Sequence, residues 1–184
     1  MLLTREKSQL LIVDVQDKLL DAMSGKGRLV QRCVRLVQAA KTLDIPITVS
    51  EQYPQGLGPT VESIRWALGN SASTLSKVEF SCARNEALRN RLDELRRQGR
   101  QQVVIGGIES HVCVMQTAID LENSGFDAFV VADAVSSRSK TSKRLALSRL
   151  AKAGADIVDS EMVLFEWLGR AGTPEFKELQ ALIK

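Results

Sequence analysis

Short apolar runs alternate with amphipathic stretches along the chain. The first run, residues 9–14, is apolar from Leu10 until Asp14 ends it, which is typical of a strand buried on both faces. Apolar positions then recur at intervals of three and four residues from Leu29 to Ala40 and predict a helix. The helix should end before Ile45-Pro46, because proline disfavours helical geometry in the residue before it. An extended pattern resumes at residues 47–49.

The same alternation continues to the end of the sequence. Further strands are predicted over residues 74–80, 102–105, 128–132 and 155–158. Helices are predicted over residues 86–97, 113–123 and 142–152, with two short helices at the end, the last beginning at Thr173-Pro174-Glu175. Strands separated by helices imply parallel pairing with right-handed crossovers. The sequence therefore predicts a three-layer α/β fold with helices on both faces of a parallel sheet.

The composition indicates a folded protein with a single domain. The chain has 184 residues, which predicts one domain over residues 1–184. Hydrophobic residues make up 44% and charged residues 26%, with only 12 Gly and 4 Pro, which excludes disorder as the main state. The net charge is only +3, and the arginines of residues 84–100 alternate with acids around Leu88, Leu92 and Leu95. That pattern predicts the solvated face of an amphipathic helix, so no nucleic-acid partner is expected.

The sequence also bears on location. No apolar run approaches the ~20 residues that a membrane span requires, and the first residues lack the apolar core of a signal peptide. The three cysteines, Cys33, Cys82 and Cys113, do not form a CxxC motif. Free thiols in a reducing compartment are therefore expected. These features predict a cytoplasmic protein with no membrane partner.

Polar side chains stand where the predicted strands end. Asp14 ends the first strand, Lys77 lies in or just after the third, and Cys113 opens the helix after the fourth. Each alone has a simpler explanation as a cap, a solvated cation or a small core residue. Ligands of such sheets bind beyond the carboxyl ends of the strands, however, where all three are expected.

Together these residue types fit acyl transfer. A helix N-terminus and a neighbouring ammonium would lower the pKa of the Cys113 thiol, and a carboxylate could accept its proton. The glycines of Gly106-Gly107 allow a sharp turn whose amides could face an oxyanion.

Three segments carry a family resemblance. Leu11-Ile12-Val13-Asp14-Val15-Gln16, Lys77-Val78-Glu79-Phe80-Ser81 and the segment from Gly106 to Cys113 resemble the signature segments of the isochorismatase-like cysteine hydrolases. The resemblance implies a Rossmann-like sheet of six parallel strands in the order 3-2-1-4-5-6. It also implies a catalytic triad of Asp14, Lys77 and Cys113, a cis peptide at Ile108-Glu109, an oxyanion hole formed by the amides of Glu109 and Cys113, and a homo-oligomer of two or more subunits.

Departures from the family pattern narrow the expected chemistry. Metal-dependent nicotinamidases carry two histidines after the second strand, whereas the only histidine here is His111, so no metal and no cofactor are expected. Isochorismatases that cleave a vinyl ether lack the cysteine. Cys113 therefore favours hydrolysis of a small amide or a related C–N or acyl substrate. Residues 51–60 look most like those of isochorismatase domain-containing proteins whose substrate is not established.

Other residues receive weaker predictions. Five are expected to line the substrate pocket: Gln16, Tyr53, Trp66, Phe80 and Val112. His111 is expected at the pocket rim or in a structural role, Cys33 in the core, and Cys82 in a peripheral position. Two other functions stay open: a non-catalytic binding or scaffold protein that keeps the fold, and redox sensing through Cys113, which would show peroxide-dependent sulfenylation instead of turnover.

Overall fold

Six parallel strands form one sheet at the centre of the molecule. The computed structural model describes residues 1–183. The strands are β1 (Ser8–Val13), β2 (Ile47–Gln52), β3 (Ala72–Lys77), β4 (Gln102–Ile108), β5 (Asp127–Ser136) and β6 (Asp156–Val158). Their order across the sheet is β3-β2-β1-β4-β5-β6. Each neighbouring pair is parallel, which confirms the predicted fold class and strand order.

Helices connect the strands. They are α1 (Asp17–Leu20), α2 (Lys26–Thr42), α3 (Pro54–Leu57), α4 (Glu62–Leu68), α5 (Glu86–Arg97), α6 (Met115–Asn123), α7 (Lys140–Lys152), α8 (Ser160–Leu168) and α9 (Pro174–Gln180). A 3₁₀ turn covers Cys82–Arg84, and a π-helical turn covers Ser110–Val114 directly before α6. None of the helices described over residues 1–183 is long and apolar enough to cross a membrane.

The sheet has an apolar core on each face. Successive residues of a strand point to opposite faces, so Leu10 and Ile12 of β1 belong to one core and Leu11 and Val13 to the other. Helices α2, α4, α8 and α9 contribute to the first core, and α5, α6 and α7 to the second. Because β1 is buried on both faces, it reads in the sequence as an unbroken apolar run.

Two differences from the predicted elements concern the third strand and the helix before it. The third strand ends at Lys77 instead of Phe80, because its partner β2 ends at Gln52, which pairs with Lys77. Beyond this pair no neighbouring strand is available, and Val78 and Phe80 are exposed. The pattern also missed helix α4, which has only seven residues and begins without a side-chain cap.

Candidate active site

Three strand ends bring Asp14, Lys77 and Cys113 together. Asp14 directly follows β1, Lys77 is the last residue of β3, and Cys113 lies in the π-helical turn after β4. The Lys77 Nζ donates a hydrogen bond of 2.7 Å to Asp14 Oδ2, and both side chains are fully buried. The sheet thus places a buried ion pair at the edge where parallel α/β proteins bind ligands.

The backbone turns sharply at Asp14. Its φ is +52°, a left-handed conformation that aspartate tolerates better than most residues. Gly107 of β4 packs directly against the backbone of Val13, where no Cβ would fit. The Asp14 N–H donates to the Ser50 carbonyl at 3.0 Å, and the Ser50 hydroxyl donates to Asp14 Oδ1 at 2.7 Å. Both carboxylate oxygens of Asp14 therefore accept a hydrogen bond.

Lys77 is held by two acceptors. Besides Asp14, its Nζ donates to Gln52 Oε1 at 2.6 Å. Gln52 is the residue opposite Lys77 in the β2–β3 register, so the pairing of the two strands fixes the ammonium in place.

The turn that carries Cys113 follows directly on β4. The peptide bond between Ile108 and Glu109 is cis. The Glu109 carbonyl accepts hydrogen bonds from the N–H groups of Val112 and Val114 at 3.0 and 3.2 Å. The Glu109 carboxylate binds Arg138 at 3.1 Å, which ties the turn to the loop after β5. Cys113 is 7% exposed, so a small part of its surface is open to solvent.

Burial dominates the electrostatics of the site. Burial raises the pKa of Asp14 above its usual value, against the opposing effects of Lys77 and Ser50. Burial also opposes the charge on Lys77, but the charge of Asp14 acts in the opposite direction, and the net pKa of Lys77 is raised. The ammonium therefore stays protonated beside the carboxylate.

The predicted lowering of the Cys113 pKa is wrong. Burial and then the negative charge of Asp14 raise the pKa of this thiol above its usual value, and Lys77 offsets them only in part. The sequence reveals the helix terminus and the cation but not the degree of burial, which here has the largest effect. The resting form of Cys113 is therefore a thiol and not a preformed thiolate.

Cys82 lies closer to this site than its predicted peripheral position. It is fully buried in the 3₁₀ turn, in the same apolar core as Cys113, and its N–H donates to Thr117 Oγ1 at 2.9 Å. Burial and the charge of Asp14 raise the pKa of Cys82 to about 11. The turn that follows β3 brings Cys82 back toward the site. No local pattern in the sequence indicates this turn. Cys33 lies in the opposite core, as predicted.

Trp66 and Gln16 were predicted to line the pocket, but the structure places Trp66 away from the site and gives Gln16 a structural role. Trp66 is 86% exposed on α4, whose buried residues pack on the opposite face of the sheet from Cys113. Gln16 is fully buried, and its side-chain amide donates to the carbonyls of Gln52 and Gly58 at 3.0 and 2.6 Å. Its Oε1 accepts the Gln52 N–H, so Gln16 fixes the loop and has no amide hydrogen left for a ligand.

The other predicted wall residues lie around the site. Tyr53 borders a cleft of about 240 Å³ together with Lys77, and its N–H donates to the Lys77 carbonyl at 2.9 Å. Phe80 is exposed just beyond β3, and Val112 adjoins Cys113 in the π-helical turn. The His111 Nδ1 lies 2.9 Å from Ser137 Oγ, which agrees with the structural role expected for this histidine.

The comparisons with known proteins agree with this fold. The family model described as "Isochorismatase domain" matches residues 8–162. The chain belongs to the isochorismatase family. Isochorismatase domain-containing protein 1 of Danio rerio is 42% identical over 171 residues, which cover 93% of this chain. The aligned region spans 59% of the length of that zebrafish relative.

Solved structures of similar isochorismatase-fold proteins extend the comparison. The structure described as MAR1 ribonuclease from Caenorhabditis elegans has a TM-score of 0.92 and 36% identity, covering 100% of this chain and 92% of its own. The YcaC gene product from Escherichia coli, described as an octameric hydrolase of unknown specificity, has a TM-score of 0.90. Its identity is 22%, with coverage of 99% and 90%, so it shares the isochorismatase fold.

Metal-ligating side chains do not gather at this site. Within residues 1–183, no three His, Cys, Asp or Glu side chains are grouped so that they could hold a metal ion.

Proposed function

We propose that this isochorismatase-family protein is a cysteine hydrolase of small amides or related C–N and acyl compounds. The observation that carries the proposal is the thiol of Cys113 beside the buried Asp14–Lys77 ion pair, at the carboxyl edge of the sheet. A nucleophile with an adjacent base that is itself oriented by a third group is the arrangement that covalent catalysis requires. No metal or cofactor takes part in the proposed reaction.

The first half-reaction acylates Cys113. Asp14 accepts the thiol proton as the sulfur attacks the carbonyl carbon, so a C–S bond forms and the carbonyl π electrons move to oxygen. The N–H groups of Glu109 and Cys113 stabilise this oxyanion. When the tetrahedral intermediate collapses, the C–N bond breaks, and Asp14 returns its proton to the leaving amine.

The second half-reaction releases the acid. Asp14 removes a proton from water, whose oxygen attacks the thioester carbon. The C–S bond then breaks, and Asp14 delivers its proton to the departing sulfur, which regenerates the Cys113 thiol and the Asp14 carboxylate. Lys77 keeps the carboxylate ionised between the two steps. The raised pKa of Asp14 makes it a stronger base than an ordinary aspartate, which suits both proton transfers.

The burial of the site favours a small substrate. Cys113 is 7% exposed, and Asp14 and Lys77 are more deeply buried. A nucleophile with so little exposed surface is accessible only to a small reacting group. The name of the Caenorhabditis elegans protein implies RNA as the substrate of that protein. An RNA strand would have to bring a reacting phosphate to the buried sulfur of Cys113. RNA is therefore the less favoured substrate class.

A substrate screen tests the proposal. The wild-type protein is incubated with a panel of small primary amides, and free ammonia is measured, with a labelled RNA oligonucleotide as a separate arm. We expect ammonia release from at least one amide, lost in Cys113→Ala and unchanged in Lys152→Met on the exposed surface of α7. Ammonia release that survives Cys113→Ala would refute the mechanism, and RNA cleavage without amide turnover would refute the substrate class.

We also propose a homo-oligomer of two or more subunits. The octameric state stated for the Escherichia coli protein of the same fold supports it. Val78 and Phe80 beyond β3 are 70% and 56% exposed, which leaves apolar surface that a second subunit could cover.

A further inference from the structure

A second cavity lies between the first turns of α2 and α7, beyond the carboxyl end of β5. Its volume is about 270 Å³. It is lined by Ser24, Gly25, Arg28, Leu29, Asp133, Val135, Ser136, Ser137, Lys140 and Lys143. None of Asp14, Lys77 and Cys113 lines it, so this cavity is distinct from the triad site.

Three cations in this cavity lack partners. Across residues 1–183, the side chains of Arg28, Lys140 and Lys143 form no ion pair and donate no hydrogen bond. The one acid in the lining, Asp133, is already engaged: its Oδ2 lies 3.0 Å from Arg32 Nε. Its two oxygens also accept the Ser160 N–H and hydroxyl at 2.8 and 2.7 Å. With three cations and one acid, the lining carries a net positive charge.

The cations converge closely enough to influence one another. Burial lowers the pKa of Lys143, the charge of Asp133 opposes this effect, and the charge of Arg28 adds a smaller lowering. The charges of Arg28 on α2 and Lys143 on α7 repel each other. A bound anion would relieve this repulsion. Its attraction to the cations would be stronger in a partly buried cavity than in bulk water, because less solvent screens the charges.

The backbone adds to the positive potential. Helix α2 has 17 residues and begins after Gly25, which has no side chain to cap the first N–H groups. The first turn of α2 contains no acidic residue. Free N–H groups at a helix start favour an anion, and here they border the same cavity as the three cations.

We propose that this cavity binds a phosphate group, either free or on a small metabolite, between Arg28, Lys140 and Lys143. Three cationic side chains suit a doubly charged, tetrahedral oxyanion better than a singly charged carboxylate. The hydroxyl of Ser137 on the cavity wall lies 2.9 Å from His111 Nδ1, in the turn that carries Cys113. The phosphate would therefore lie beside the π-helical turn that carries Cys113, without contacting Asp14, Lys77 or Cys113.

Calorimetric titration with inorganic phosphate tests the proposal independently of any substrate. We expect saturable binding at one site per chain, weakened about tenfold in Lys143→Met, since each charged hydrogen bond contributes that order of affinity. Lys143→Arg keeps the charge and should retain most of the binding. Lys152→Met, which removes a charge from the exposed end of the same helix, should bind phosphate as the wild type does.

Three results would overturn the proposal. They are the absence of saturable phosphate binding to the folded wild-type protein, equal weakening by Lys143→Met and Lys152→Met, and tighter binding of acetate than of phosphate. A Cys113→Ala protein should bind phosphate normally, so a failure of the proposed hydrolase activity would leave this result unaffected.

Discussion

Burial and two neighbouring charges set the pKa of the Cys113 thiol. Burial raises this pKa most, Asp14 raises it further, and Lys77 lowers it in part. The thiol is therefore protonated at neutral pH. In the mechanism that we propose, it becomes nucleophilic only when Asp14 takes its proton, so its activation is reserved for a bound substrate.

Replacing Asp14 should separate alkylation from catalysis. In Asp14→Asn the negative charge disappears, Lys77 stabilises the thiolate, and the pKa of Cys113 falls. Each unit of that fall raises the thiolate fraction at pH 7 about tenfold. We therefore expect faster iodoacetamide modification of Cys113 at pH 7, followed by peptide mass spectrometry, together with loss of amide turnover. Asparagine also tolerates the left-handed backbone at this position.

Cys33 is the internal control for this measurement. It lies in the opposite core, and burial raises its pKa to about 12, so its alkylation should be slow in both proteins. Slower modification of Cys113 in Asp14→Asn than in the wild type would show that Asp14 does not raise the pKa of the thiol.

The sequence predicted the proximity of Asp14, Lys77 and Cys113 better than it predicted the pKa of the thiol. Asp14, Lys77 and Cys113 stand next to apolar strands, so the rule for strand ends brings them to one edge. The proximity of Cys82 and the raised pKa of Cys113 depend on tertiary packing, which local patterns do not record. Trp66 was misassigned because an aromatic residue on a short helix gives no indication of the face it occupies.

At the scale of elements, the contact between β1 and β4 positions Asp14. Gly107 of β4 has φ +122° and lies against Val13, the residue before Asp14. A methyl group there would collide with main-chain atoms of Val13, which cannot move without displacing Asp14. This close approach explains why glycine is required at the end of β4.

Gly107→Ala should therefore damage both stability and the site. We expect a loss of several kcal/mol in the free energy of unfolding in urea, because both the positive φ and the clash oppose alanine. The matched control is Gly27→Ala in α2, where a Cβ would meet nothing within 4 Å. That variant should be neutral or more stable by about 0.5–1 kcal/mol. Equal unfolding curves for the Gly107→Ala and wild-type proteins would contradict the interpretation of this contact.

The elements themselves were largely predictable. Strands buried on both faces give continuous apolar runs, and helix α5 was predicted with its observed bounds, Glu86–Arg97, from its leucine spacing. Helices α1, α3 and α4 were missed because they are short, and their positions depend on packing between the loops. One such contact is the bond from the Val61 N–H to the Val15 carbonyl at 2.9 Å.

At the scale of the whole molecule, the proposed oligomer is tested by size-exclusion chromatography with light scattering. We expect a mass of at least twice the 20.2 kDa of one chain. Phe80→Glu, which places a charge in the exposed apolar surface beyond β3, should shift the population toward smaller species. A matched change, Leu145→Glu on the exposed side of α7, should leave the mass unchanged. A monomer at all concentrations would contradict the proposed assembly.

The central claim is that Cys113 carries the acyl group during turnover, and trapping that group tests it most directly. The protein is mixed with p-nitrophenyl acetate, quenched in acid within the first turnover, and mapped by peptide mass spectrometry. We predict a hydroxylamine-sensitive acetyl group on Cys113 and a burst of p-nitrophenolate, both absent in Cys113→Ala. Acetylation spread equally over Cys33, Cys82 and surface lysines, or a burst of the same size in Cys113→Ala, would contradict the claim.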